Sequence, residues 1–282
     1  MHHIKVSAVI PLWSCALVLL ARPVHSQNAE ASGMKKGAHF IKPVEYSEQE
    51  NARLLKRFEG LRVADVSDGM DFVDLPEVGL VDPSIRPLWK DITGFTHQIR
   101  GIALTVRFVP SQQPIHPPDN VNYSQWEADW YGRLSSEPFV ALIQKGQVIV
   151  IDDVEEADIG SIGSNNILVW KKQGAVGVIT DASARDTDEI EKERVPLYFR
   201  KPGRGIRPGR NELECVNCPI SIGGVTVRPG DVVVADGDGI VVVPRSVAED
   251  VAKYARAILE KDKSGRKKLY ESMGIPKDQT VE

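Results

Sequence analysis

The chain has 282 residues, 42% hydrophobic and 26% charged, with a formal net charge of −4. That length can bury a sizeable core, and the mild acidity gives no global field that would draw nucleic acid. No segment beyond the N-terminal apolar stretch approaches the roughly 20 apolar residues of a membrane-spanning helix.

Residues 1–26 read as a secretory signal peptide. Lys5 opens it, an apolar stretch from Val6 to Ala21 follows, broken by Pro11 and Ser14, and Val24-His25-Ser26 sets a cleavage position before Gln27. A retained membrane anchor is the alternative, but the run is short and Pro-broken. Cys15 lies inside the apolar run, not after it, which disfavours lipidation. Cleavage after Ser26 would leave 256 of the 282 residues and, with Lys5 and Arg22 gone, shift the formal charge from −4 to −6. The expected location is therefore secreted or periplasmic, with no membrane span after cleavage.

Residues 27–46 are polar and basic and read as an extended arm, followed by a single domain over 47–282. From Ser47 to Val66, Leu54, Leu55 and Phe58 share a helical face. The "SDGMD" after it reads as a turn or helix start, with Asp65 and Asp68 as capping and turn residues. "GIALTVRFV" (101–109) and "QVIVID" (147–152) read as strands. The insert between them, 112–138, carries Tyr123, Trp126, Trp130 and Tyr131. It is either a lid against which a sugar-like or aromatic substrate stacks, or a helix packing its tryptophans into a core at a spacing of four; core packing is favoured.

A helix near Asn166–Gln173, a strand over 175–180 and a short strand over 195–199 give a β-α-β alternation. The basic run Arg200–Arg210 reads as a solvated loop. The segment 220–244 is a string of short strands joined by Gly-Gly, Pro-Gly and Asp-Gly turns, in which Asp231, Asp236 and Asp238 occupy tight turns. The closing helix, 246–273, places Val251, Tyr254, Ala255 and Ile258 on one stripe. The predicted class is layered α/β. Cys215 and Cys218 lack the two further ligands that zinc requires and precede a proline and a strand, so they read as a structural or incidental pair. His97 and His116 have no partner at ligand spacing and read as structural.

Arg185 and Asp186, at the exit of the "GAVGVITDASARDTDE" strand, carry two readings. One is a surface ion pair with Asp186 capping a helix and Glu189 completing the box. The other is an anion clamp beside a metal ligand, because the Arg fork suits a carboxylate and Asp is a hard oxygen ligand.

Three stretches, "ADVSDGM", "GAVGVITDASARDTDE" and "GGVTVRPGDVVVADGDGIVVVP", resemble in order the RraA-like and 4-hydroxy-4-methyl-2-oxoglutarate aldolase family, over roughly residues 50–275. The resemblance implies a swivelling β/β/α fold, assembled as a homotrimer or hexamer with sites where subunits meet. The implied reaction is retro-aldol cleavage or oxaloacetate-type decarboxylation of a small 2-oxo acid through a pyruvate enolate. By the same resemblance Arg185 binds the substrate carboxylate, Asp186 holds Mg²⁺ or Mn²⁺, and the loop Gly163, Ser164, Asn165, Asn166 supplies anion-binding donors at a helix N-terminus. The family signature is an acid, twenty intervening residues, then Arg-Asp and an acid three positions on. Arg185, Asp186 and Glu189 match, while Ser164 stands at the leading acid's position, where a hydroxyl cannot carry its charge. Glu156 and Asp158 are nearby at the wrong spacing; Glu260 or Asp262 of a neighbouring subunit are possible substitutes. The alternatives are a non-catalytic binding or regulatory protein and a lyase on a sugar-derived substrate.

Overall fold

The computed structural model describes residues 46–155 and 158–282. The signal segment, nearly all of the N-terminal arm, and Glu156 lie outside the described residues. Among the described residues no helix is long and apolar enough to cross a membrane.

The predicted Ser47–Val66 helix is two helices, α1 (Glu48–Phe58) and α2 (Val63–Asp71). The break falls at Gly60, which takes a left-handed φ of +74°. Ser47 and Glu50 form the capping box of α1. "SDGMD" is therefore the C-terminal half of α2, neither a turn nor a helix start. Its glycine serves close packing, because a Cβ on Gly69 would stand 2.8 Å from the Val251 carbonyl of the C-terminal helix.

The chain continues through β1 (Arg86–Pro87), β2 (Ile99–Pro110), α3 (Tyr123–Arg133), a 3₁₀ turn over Pro138–Leu142, and β3 (Gln147–Asp152). Next come α4 (Ser164–Gln173), β4 (Gly177–Thr180), β5 (Ser183–Ala184), α5 (Thr187–Lys192), β6 (Leu197–Phe199), β7 (Lys201–Pro202) and β8 (Asn211–Val216). The last part is β9 (Ile220–Ile222), β10 (Val225–Val227), β11 (Val232–Asp236), β12 (Gly239–Val243) and α6 (Ala248–Met273).

The main sheet runs β1-β6-β4-β3-β2-β11-β12, with β8 pairing β2. Strands β2, β3, β4 and β6 are parallel, while β11 joins β2 and β12 in antiparallel register. The Asp-Gly turn closes a β11–β12 hairpin, as its sequence predicts.

The period-two side-chain alternation of the strands sets the layers. Ile102, Val232 and Val234 face α1, α2 and α6, and Leu104, Val106 and Ile149 face Ile167 and Trp170 of α4. The intervening Ala103, Val233 and Ala235 face the small β9–β10 sheet through Ile220, Ile222, Val225 and Val227. The result is the layered β/β/α arrangement. In α6 the buried stripe is Val251, Ala252, Ala255 and Leu259; Tyr254 is half-buried and stacks on Phe72. Cys215 and Cys218 are joined in a disulfide that ties the end of β8 to the turn before β9.

Candidate functional site

Parallel strands β3 and β4 end on the same side of the sheet, and the loops beyond them carry the predicted residues. Arg185 follows β5, and its main-chain N–H donates to the Ile162 carbonyl at 2.8 Å. That bond draws the Arg-Asp turn against the start of α4. Asp186 sits at φ 56°, ψ 40°, a left-handed conformation that Asp tolerates better than most residues but that still stores strain.

The strained turn sends the Asp186 carboxylate away from its own helix. Asp186 is the N-cap residue of α5 yet makes no side-chain cap bond. Its Oδ2 accepts instead from the Ser164 main-chain N–H at 3.1 Å and the Ser164 hydroxyl at 3.4 Å. The surface-cap account of Asp186 is thus replaced by a carboxylate on the N-terminus of α4, where unpaired amides favour negative charge. Glu189 points to solvent and completes no box.

Two glycines make the approach possible. A Cβ on Gly163 would lie 2.9 Å from Asp186 Oδ2, and one on Gly160 would lie 2.6 Å from the Arg185 Cβ. Arg185 Nε stands 4.0 Å from Asp186 Oδ1, with both side chains a little over one-third exposed. Cation, carboxylate and helix amides therefore converge at an open surface. Of the Gly163–Asn166 loop, the Ser164 amide is taken by Asp186, and the Asn166 side chain donates to Glu137 at 2.8 Å. The Asn165 and Asn166 main-chain amides, in the first turn of α4, remain for an incoming anion.

The aromatic insert is part of this architecture, which sequence reading missed. Glu137 accepts from Asn166 Nδ2 and, through Oε2, from Trp170 Nε1 at 3.0 Å, and it pairs with Arg207 at 2.8 Å. Arg207 in turn donates to the carbonyls of Ser161 and Ser135. It is buried, so the Arg200–Arg210 run is not simply a solvated loop: its eighth position is an internal tie. Tyr131 lies in the same electrostatic neighbourhood. Burial pushes its hydroxyl up, and the charges of Arg185 and Arg207 pull it back. Trp130 is buried, its indole N–H bound to the Asn211 carbonyl, in keeping with core packing of α3. The only forewarning in the sequence was an acid, Glu137, directly before Pro138.

The remaining acids are engaged elsewhere. Asp158 is paired with Arg204, Asp262 with Arg62 of the same chain, and Asp65 closes a box with Arg62. Asp68 lies inside α2. Asp231 accepts main-chain N–H groups of Arg228 and Arg245, and Asp236 those of Val63 and Asp238. His97 is buried, its Nδ1 accepting from the Asp91 amide, and burial lowers its pKa. His116 lines a cavity of about 420 Å³ in the insert.

No group of three or more His, Cys, Asp or Glu side chains among the described residues is placed to hold a metal, as a closed zinc-type shell requires. A magnesium-type ion needs far less from the protein, one or two carboxylates with the remainder water. Asp186 meets that requirement. Its Oδ2 is anchored, while Oδ1 stands 4.0 Å from Arg185 Nε and accepts no hydrogen bond among the described residues.

The family model described as RraA-like, Aldolase/RraA, matches residues 63–242. The chain belongs to the RraA-like family. Protein DlpA of Legionella pneumophila is 26% identical over 210 residues, covering 73% of this chain and 30% of that protein. The 4-hydroxy-4-methyl-2-oxoglutarate aldolase of Thermus thermophilus is 31% identical over 102 residues, 35% of this chain and 60% of that enzyme. The chain thus spans less than two thirds of either relative. Among solved structures, an uncharacterized protein from Pseudomonas syringae has a TM-score of 0.61 at 28% identity, covering 84% of this chain and 95% of that one. Streptomyces coelicolor RraAS2, described as an unusual member of the RNase ES inhibitor RraA family, has a TM-score of 0.62 at 22% identity, covering 77% and 98%, and supports the RraA-like fold.

Proposed function

We propose that this RraA-like protein is a divalent-metal-dependent lyase acting on a small 2-oxo acid, by retro-aldol cleavage or decarboxylation. The observation that carries this reading is the turn of Asp186 away from its own helix onto the amide of Ser164, beside Arg185. A cap or a surface ion pair would need neither the left-handed backbone nor the glycine at 163.

Arg185 is suited to take the substrate carboxylate through its planar fork, helped by the Asn165 and Asn166 amides. Asp186 would hold Mg²⁺ or Mn²⁺ through Oδ1. The ion supplies Lewis-acid stabilisation of charge developing on the 2-keto oxygen. Ser164 can orient a water by its hydroxyl but is a poor proton acceptor. Proton transfer must then fall to a water, to Tyr131, or to an acid of an adjacent subunit such as Glu260.

Export of the chain and assembly as a homotrimer or hexamer belong to the same proposal. Leu168 and Val169, exposed on α4 next to the site, provide apolar area for such a contact.

Ser164 favours a second reading, a binding or regulatory protein that keeps the anion site without turnover; the relatives include both an aldolase and an inhibitor by name. Incubation with oxaloacetate or 4-hydroxy-4-methyl-2-oxoglutarate and Mg²⁺, with pyruvate detected enzymatically, separates the two. Turnover above the metal-only rate, abolished in Asp186→Ala, supports the lyase. Metal-dependent pyruvate binding without turnover of either compound favours the binder.

A further inference from the structure

A second cavity, of about 580 Å³, opens between the start of β2, the loop over residues 90–98 and the C-terminal helix α6. Its volume lies in the range of small-molecule sites. It stands at the other end of the sheet from Arg185. Arg100 is at the N-terminal end of β2, whereas Arg185 and Asp186 follow the C-terminal end of β4, and β2, β3 and β4 run parallel.

The lining is strongly cationic. Arg62, Lys90, Arg100, Lys263 and Arg266 meet two carboxylates, Asp236 and Asp238. Asp236 is already bound on both oxygens, by the main-chain N–H groups of Val63 and Asp238 at 2.9 Å each. Arg62 is neutralised by Asp65 and Asp262. Among the described residues, Lys90, Arg100 and Arg266 have no carboxylate within ion-pair distance. The Lys90 ammonium donates to the Gly237 carbonyl at 2.9 Å, and Arg100 to the Leu61 carbonyl and Gln98 Oε1 at 2.7 and 2.8 Å. These neutral acceptors fix the cations without cancelling their charge.

A part-buried guanidinium with no direct ion pair carries a desolvation cost. Burial disfavours the charge on Arg100, the nearby charges of Asp236 and Asp65 offset only part of that, and a bound anion would offset more. Ile92, Phe95 and Leu259 also line the cavity, so it offers apolar area as well as positive charge. Guanidinium forks and ammonium groups match phosphate oxygens, and the apolar lining matches a carbon body. These cations gather around one half-open cavity, which fits a small molecule better than a strand of nucleic acid, which binds along an extended stripe.

We propose that this cavity is a binding site for a small organic phosphate ester, separate from the Arg185–Asp186 site. The phosphate sits among Lys90, Arg100 and Arg266, and the organic part lies along Phe95 and Leu259. The site does not depend on the lyase reading.

Isothermal titration of the full chain with phenyl phosphate, inorganic phosphate and phenol tests it. Phenyl phosphate should bind, inorganic phosphate should bind about tenfold more weakly for lack of the apolar contact, and phenol should not bind detectably. The double variant Lys90→Glu/Arg266→Glu changes exposed positions and should weaken phenyl phosphate binding at least about tenfold. Arg185→Ala should leave it unchanged. Arg100→Gln, with folding checked by circular dichroism, should also weaken it; if that variant unfolds, the exposed pair still decides. No binding, equal binding to the charge-reversed protein, loss of binding in Arg185→Ala, or binding confined to long polyanions such as RNA would each overturn the proposal.

Discussion

At the scale of single residues, the site depends on the absence of a side chain at position 163. Gly163 caps α4 at φ −116° and ψ 167°, a conformation that any residue adopts, so glycine is not required by the backbone. What forbids a larger residue is the Asp186 carboxylate, 2.9 Å from where a Cβ would be. Gly163→Ala should therefore displace Asp186 while leaving the fold nearly intact. The expected outcome is a loss of Mg²⁺-dependent pyruvate binding, or of turnover, of at least about tenfold, which is about 1.4 kcal/mol. Thermal denaturation should shift by no more than about 4 °C, the scale of a 1 kcal/mol change in a domain of this size. A larger shift with intact binding would show the glycine to be structural. The Arg-Asp dipeptide was legible in the sequence because its residue types and spacing carry chemistry. The choice between helix cap and clamp was not legible, because it turns on one left-handed φ that no propensity specifies.

At the scale of elements, Glu137 joins three segments that are distant in the chain: the insert, α4 and the basic loop. Its carboxylate receives Asn166, Trp170 and Arg207, the last almost wholly buried. Removing one partner of a buried ion pair strands the other, at a cost of about 3–5 kcal/mol. Glu137→Ala should lower stability by an amount of that order, measured by urea denaturation, because Arg207 is left unpaired. Glu137→Gln keeps the shape and the acceptor for Trp170, so it should lose less and retain more substrate binding. Equal stability of wild type and Glu137→Ala would mean that water replaces the carboxylate at little cost. This linkage also explains what sequence reading could and could not recover. Strands with period-two patterns and turns with Asp-Gly were readable, since local chemistry determines them. The split between α1 and α2 was not, because Leu54, Phe58 and Leu61 continue one apolar helical spacing (i, i+4, i+7) straight across Gly60. Gly69 likewise looked like a turn residue, and only the crossing of α6 gives its role. Arg207 looked like one cation in a solvated run because its partner lies 70 residues away in sequence.

At the scale of the whole molecule, the layers leave carboxylates near the ends of β3 and β4 partly buried together. Asp181 follows β4, and burial, reinforced by the neighbouring charge of Asp152, raises its pKa from 3.8 to about 7. Burial raises Asp152 as well. A carboxylate whose folded pKa exceeds its unfolded value binds a proton more tightly when folded. Stability is then highest below the unfolded pKa and falls as pH rises through the folded one. Across the window from about pH 4 to pH 7 the protein should lose on the order of 2–4 kcal/mol from Asp181 alone. Asp181→Asn retains the acceptor for the Asp153 amide but carries no charge. The variant should match wild type below pH 4, pull ahead through neutrality, and show its full advantage above pH 7, with a Tm higher by several degrees. Denaturation curves at pH 4, 6 and 8 for both proteins measure this directly. Parallel pH dependence in the two would remove Asp181 as the source. The same series bears on the site, since Asp186 is five residues beyond Asp181 on the loop leaving β4. If the charge on Asp181 loosens that loop, Mg²⁺-dependent pyruvate binding should weaken between pH 6 and pH 8 in wild type and hold steady in Asp181→Asn, tying the electrostatics of the sheet to the residues that meet substrate.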